Sequence, residues 1–189
     1  MLKKMMLLAV SAAALVAFSV PAAQANGPVF NTETEEFEGF LHFHREETGT
    51  LPTGVFGCEV TISVTGGGNT TAEVTEFTPT TETCKGEGLF TGCQLVTHHA
   101  NVPFSVHSNT DHSLTVEKEG GNVTMLNAYS GCVFGVPGAH LEFESVSVVP
   151  HPTEGPISTL TVHGTTTNGG ITATGTLHAE TGKALTLTT

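Results

Sequence analysis

From Val55 to Val64 the chain alternates with a period of two: Phe56, Cys58, Val60, Ile62 and Val64 are separated by Gly57, Glu59, Thr61 and Ser63. In an extended strand this spacing puts the apolar set on one face and the polar set on the other, and no helical face can use it. The same rhythm returns at 37–43, 102–106, 114–116, 123–129, 141–149, 160–162, 171–179 and 185–187. Turn formers separate the runs, among them Gly66-Gly67-Gly68-Asn69, Glu119-Gly120-Gly121-Asn122, Pro150-His151-Pro152, Asn168-Gly169-Gly170 and Thr181-Gly182-Lys183. About eight to ten short strands at this spacing predict an all-β fold, a single antiparallel β-sandwich or partly closed barrel. No linker divides the chain.

The amino end reads differently. Lys3 and Lys4 precede an apolar run from Met5 to Val20, Pro21 ends it, and Ala23-Gln24-Ala25 supplies the small-x-small pattern of a signal-peptidase site. Residues 1–25 are therefore expected to be a signal peptide, and 26–189 a single secreted or periplasmic domain with no integral membrane span. Without Lys3 and Lys4, the basic residues are Arg45, Lys85, Lys118 and Lys183 against 18 acidic ones, a formal charge of −14. A surface this negative repels phosphate backbones and anionic headgroups, so nucleic acid is not an expected partner. The charge is read as serving solubility.

An exported chain with an even number of cysteines is expected to pair them. Of the three connectivities open to Cys58, Cys84, Cys93 and Cys132, Cys84–Cys93 with Cys58–Cys132 is favoured. The first pair brackets a loop containing Gly86, Gly88 and Gly92, and the second joins the similar pieces Phe56-Gly57-Cys58 and Gly131-Cys132-Val133-Phe134. No Cys-x-x-Cys spacing supports zinc.

Ten histidines are the most unusual feature of the composition. His42 and His44, two apart on a strand, share a face and are the candidate metal ligands, short of a third. His98-His99 falls near a turn, where neighbours diverge. His107 and His112 flank a hairpin, but keeping Phe104 and Val106 on the face of Leu114 and Val116 leaves the two imidazoles on opposite parities.

No catalytic motif and no cofactor signature stands out, so an enzyme is not expected. There is no Gly-x-Ser-x-Gly elbow, and the cysteines are assigned to bridges. Carboxylates at Glu33, Glu35, Glu36, Glu46, Glu47, Glu142 and Glu144 are numerous enough for glycosidase chemistry. Yet the chain has no Trp and only Tyr129 to stack on a sugar. Asp111 is the only Asp and Arg45 the only Arg, which counts against calcium loops and anion sites. Outer-membrane barrels need aromatic girdles that are missing here.

Cys58-Glu59-Val60, the stretch Thr78-Pro79-Thr80-Thr81-Glu82-Thr83-Cys84, and Cys93 followed by Val102-Pro103-Phe104 resemble a group of small exported bacterial proteins. The alkane-oxidation activators look like distant members. The resemblance spans roughly residues 50–135, implies export and a Thr/Gly-rich all-β fold, and assigns no functional residue. The expectation is an exported, non-catalytic β-domain acting as a binding, surface or structural module. The alternatives are metal binding through the histidines, and a small apolar ligand held inside a barrel or sandwich. Expected partners are a protein or such a ligand.

Overall fold

The computed structural model describes residues 27–45, 54–88, 90–93, 95, 98–127, 140–167 and 170–189. The expected signal peptide, Tyr129 and Cys132 lie outside the described residues, as do Glu46 and Glu47. Thirteen strands follow one another among the described residues: β1 (Val29–Phe30), β2 (Thr34–Arg45), β3 (Gly54–Gly66), β4 (Thr71–Pro79), β5 (Lys85–Gly88), β6 (Phe104–Ser108), β7 (Leu114–Glu117), β8 (Val123–Asn127), β9 (His140–His151), β10 (Gly155–Pro156), β11 (Thr159–Thr166), β12 (Thr172–Ala179) and β13 (Thr186–Thr188). The sole helical element described is one 3-10 turn at Thr81–Thr83.

Eight of these strands close a barrel in the order β2, β3, β4, β6, β7, β9, β11, β12, every neighbour antiparallel and consecutive along the wall. The seam is the pairing of β12 with β2, which runs from Thr172 opposite His44 to Ala179 opposite Phe37. The expected all-β class is thus realised as a fully closed up-and-down barrel with a small second sheet. Phe37, Leu41 and Phe43 of β2 point inward, as do Phe56, Cys58, Val60 and Ile62 of β3, and all are buried. Phe104, Phe143, Val146, Val162 and Leu177 complete the filling.

Closure needs the sheet to coil tightly at the seam. There Leu41 faces Gly175 and Leu177 faces Gly39 across the two strands. A Cβ on Gly39 would collide with the Thr176 carbonyl oxygen, and one on Gly175 with that of Phe40. Only glycine lets the backbones approach so closely. Each gap is filled by the leucine opposite.

Among the wall strands, bulges in β4 and β9 break the two-residue rhythm. In β4, Val74 pairs with Val64 but Glu76 with Ser63, so Thr75 is the inserted residue. Ala72 and Val74 therefore face inward before it, and Phe77 and Pro79 after it. This change of parity is why β4 escapes a search for strict alternation. In β9, Gly164 pairs with Val146 but Thr166 with Phe143, and Leu141 and Phe143 change parity with Val146 and Val148 in the same way.

One end of the barrel is plugged by the second sheet, ordered β1-β13-β10. Its strands are too short to stand alone. They hold because Phe30, Ile157, Leu185 and Leu187 are buried against the barrel interior. Asn31 ties the N-terminal strand to the C-terminal one, donating from Nδ2 to the Ala184 carbonyl (2.6 Å) and accepting from Thr186 N–H (3.2 Å). The inward side chain beside this plug on β2 is a carboxylate, Glu35, only 2 % exposed. It accepts from the Thr181 N–H (3.0 Å) and hydroxyl (2.7 Å), and from the N–H groups of Lys183 (3.2 Å) and Ala184 (3.1 Å). Burial opposes its charge, but the Thr181 hydroxyl and the three N–H groups outweigh burial and hold the carboxyl below its ordinary value of 4.5.

The expected Cys84–Cys93 and Cys58–Cys132 pairing is corrected: Cys58 is bonded to Cys84, with Cα atoms 4.2 Å apart. Cys93 is disulfide-bonded elsewhere, and Cys132 lies outside the described residues. The reason is register. β4 pairs with β3 as far as Val60, the 3-10 turn folds the chain back, and β5 resumes on the same edge with Lys85 opposite Gly57. Cys84 is thereby set beside Cys58. Thr83 fastens the turn, its hydroxyl donating to the Thr80 carbonyl (2.8 Å) and accepting from Glu59 N–H (2.9 Å).

Two predictions follow from these contacts. Because the Glu35 carboxyl is held below its ordinary value, its stabilisation is present above about pH 4.5 and is lost as pH falls through the folded-state value. Glu35→Gln should cost about 1–3 kcal/mol at neutral pH and flatten the acid limb of the stability curve, read by urea unfolding across pH. Non-reducing peptide mapping should recover Cys58 and Cys84 in one linked fragment, and replacing both by Ala should lower unfolding stability by about 2–4 kcal/mol.

Candidate functional site

The barrel interior is the first place to look, because closed barrels of this strand number either fill or hold one small ligand. Here it is filled. Among the described residues two apolar cavities lie within it, each of about 40 Å³. One lies against the plug beside Phe30, Ile157 and Leu185, and the other lies between Leu41, Phe77, Phe104 and Met125. A ligand pocket usually has roughly 300–1,000 Å³, and a single water takes about 30 Å³ of liquid. Each of these two cavities falls several-fold short of that pocket size.

The outer wall carries the polar chemistry. His42 and His44 share the outward face of β2, His42 exposed and His44 half-buried, as the two-residue spacing predicts. Their cross-strand neighbours are Thr174 and Gly57 for His42, and Thr172 and Val55 for His44. None of these direct neighbours is a metal ligand, and no group of three or more His, Cys, Asp or Glu side chains able to hold a metal occurs among the described residues. His98 and His99 are exposed in irregular chain. His107 points outward from β6, whereas His112 sits half-buried in the hairpin with φ 66°, its Nδ1 buried without a hydrogen-bond partner. His112 thus lies in the turn between β6 and β7, where strand parity does not apply.

The carboxylates do not converge either. Glu35 is consumed by the plug, Glu33, Glu36 and Glu144 are exposed, and Glu142 is half-buried on β9. The sole Arg45 faces inward at the far end of β2, its Nε buried without a hydrogen-bond partner among the described residues.

Two hollows mark the outer wall. The first, of about 220 Å³, has Phe40, His42, Val55 and Gly57 as floor and Lys85 and Glu87 of β5 as rim. Phe40 and His42 touch with ring centroids 4.8 Å apart, and the Phe40 ring lies where a Cβ of Gly57 would be. The ring therefore covers a bare stretch of β3 backbone, an arrangement by which aromatic residues rescue a glycine in a sheet. The second, of about 440 Å³, is a shallow groove bounded by Glu38, Glu59, His178 and Glu180. Sequence reasoning found His42 but missed Phe40, Lys85 and Glu87, because β5 reaches this place only through the fold-back at Thr81–Thr83.

Most outward side chains of the described wall strands are Thr, Ser, Glu or His, and the interior is apolar, the reverse of a membrane barrel. No described helix is long and apolar enough to cross a membrane. No family model, curated protein or solved structure matches the chain.

Phe40→Ala uncovers the Gly57 backbone and should cost about 1 kcal/mol in thermal unfolding. His42→Ala, exposed beside it, should change stability by less than about 0.5 kcal/mol.

Proposed function

We propose that the protein is an exported, non-catalytic β-barrel that acts through its outer wall as a binding or surface module. The observation that carries this reading is the filled interior: side chains occupy the space in which a barrel of this size would hold a ligand. The acidic, sparsely basic composition and the Cys58–Cys84 crosslink suit a domain working outside the cytosol.

The rival readings, a metal carried by His42 and His44 or an apolar ligand inside the barrel, are separated from it by one pair of measurements. Elemental analysis of protein purified without an affinity tag should find no stoichiometric metal. Thermal unfolding against a panel of hydrocarbons and fatty acids should shift by less than about 1 °C. A bound ion at one per chain, or a saturable shift with one of these ligands, would overturn the proposal.

A further inference from the structure

The hollow of about 220 Å³ on the outer wall exists because of one glycine. His42 of β2, Gly57 of β3 and Lys85 of β5 lie side by side in one outward row, and His44, Val55 and Glu87 form the next. Gly57 puts no side chain between its neighbours, so His42 and Lys85 stand two strand spacings apart, roughly 9–10 Å. The Phe40 ring lies across the Gly57 backbone and is 38 % exposed. The His42 ring rises beside it at 48°.

The floor is thus apolar and flat, made of Phe40 and half-buried Val55. The rim supplies three kinds of polar group. The Lys85 ammonium only donates hydrogen bonds, the Glu87 carboxylate only accepts them, and the His42 imidazole does either according to its tautomer. Lys85 and Glu87 are exposed, two residues apart on the same face of β5, and their charges cancel. An organic anion would meet Glu87 here and half-buried Glu59 one row away, opposite Phe40. An organic cation would meet Lys85. The hollow therefore suits a neutral ligand that has one apolar face and an edge able both to donate and to accept. It is also built before a ligand arrives, since the Cys58–Cys84 bond joins the residues next to Gly57 and Lys85 and holds floor and rim together.

We propose that this hollow binds a single neutral pyranose ring, either a free hexose or the terminal hexose of a glycan. This rests on the reading above, that the protein acts through its outer wall, and deepens it by naming the ligand class. A hexopyranose carries a C–H face that lies flat on an aromatic ring. Its hydroxyls each donate and accept, so neighbouring ones accept from Lys85 and donate to Glu87. Size agrees as well: drug-sized ligands need pockets of roughly 300–1,000 Å³, and this smaller hollow takes one ring. In the sequence, sugar binding was weighed on Trp and Tyr alone. The exposed ring is instead a phenylalanine, and the polar edge that Trp or Tyr would add comes from Lys85 and Glu87.

Amide NMR spectra of the isotope-labelled protein, titrated with glucose, galactose, mannose and N-acetylglucosamine, test this. At least one sugar should give saturable shifts centred on the Gly57 and Lys85 amides, with a Kd of about 1–10 mM, which is what about a dozen non-hydrogen atoms allow. A disaccharide ending in the same ring supports a glycan end as the source if it binds as tightly, and a free sugar if it binds at least about tenfold more weakly. Phe40→Leu keeps Gly57 covered but removes the flat face, and should weaken binding at least about tenfold. Val149→Ala, the exposed apolar residue three strands away in the row of Phe40, should leave it unchanged. Circular dichroism confirms the fold of each variant. Benzoate and benzylamine, flat rings with one charge each, should bind more weakly than the best sugar. The proposal is overturned by the absence of saturable shifts with every sugar up to about 100 mM, by undiminished binding to Phe40→Leu, or by tighter binding of benzoate or benzylamine. The metal and hydrocarbon measurements above bear on the outer-wall reading alone, so the two fail separately.

Discussion

Closure of the sheet at the β2–β12 seam is the constraint on which the rest of the molecule depends. An open sheet of eight strands would leave two edges of unpaired N–H and C=O groups and an apolar face with nothing to cover it. Rolling the sheet shut satisfies both needs, but the first and last wall strands must then approach across a sharp bend. The alternation of Gly39 with Leu41 and of Gly175 with Leu177 makes that approach sterically permitted and fills the space it leaves. Interior volume, outward rows and plug all take their positions from this seam.

Closure creates ends, and this chain seals one of them with pieces from both termini. Strands of two or three residues contribute almost nothing by themselves, so the plug relies on buried Phe30, Ile157, Leu185 and Leu187, and on side chains that satisfy the backbone between them. Glu35 is unusual among these. A carboxylate with 2 % exposure would ordinarily be a cost, yet the loop 181–184 turns three N–H groups and a hydroxyl toward it. A residue that looks in the sequence like one of several acids for hydrolytic chemistry is a fastener of the barrel end.

Where the sequence reading failed, it failed for local geometric reasons. The strand at Thr71–Pro79 was hidden because Thr75 is a bulge, and alternation counted through a bulge reads as noise. The disulfide was misassigned because proximity along the chain favoured Cys84 with Cys93, while the fold-back at Thr81–Thr83 puts Cys84 in register with Cys58. The shared face of His42 and His44 was legible, since it needs only the geometry of one strand. The hollow beneath them was not, because Gly57, Lys85 and Glu87 belong to two further strands.

The amino-acid sequence alone determined the all-β character, the inward and outward assignment within each unbulged strand, and the excess of negative charge. These follow from side-chain period and composition, which are properties of neighbours along the chain. Only the tertiary structure decided that the sheet closes as a barrel, that Cys58 meets Cys84, and that histidines from β2, β9, β11 and β12 gather on one side of the wall while the glutamates of β4 and β7 face elsewhere. Those are matters of pairing register between segments up to about 150 residues apart, such as Thr181 on Glu35, and no local pattern encodes them.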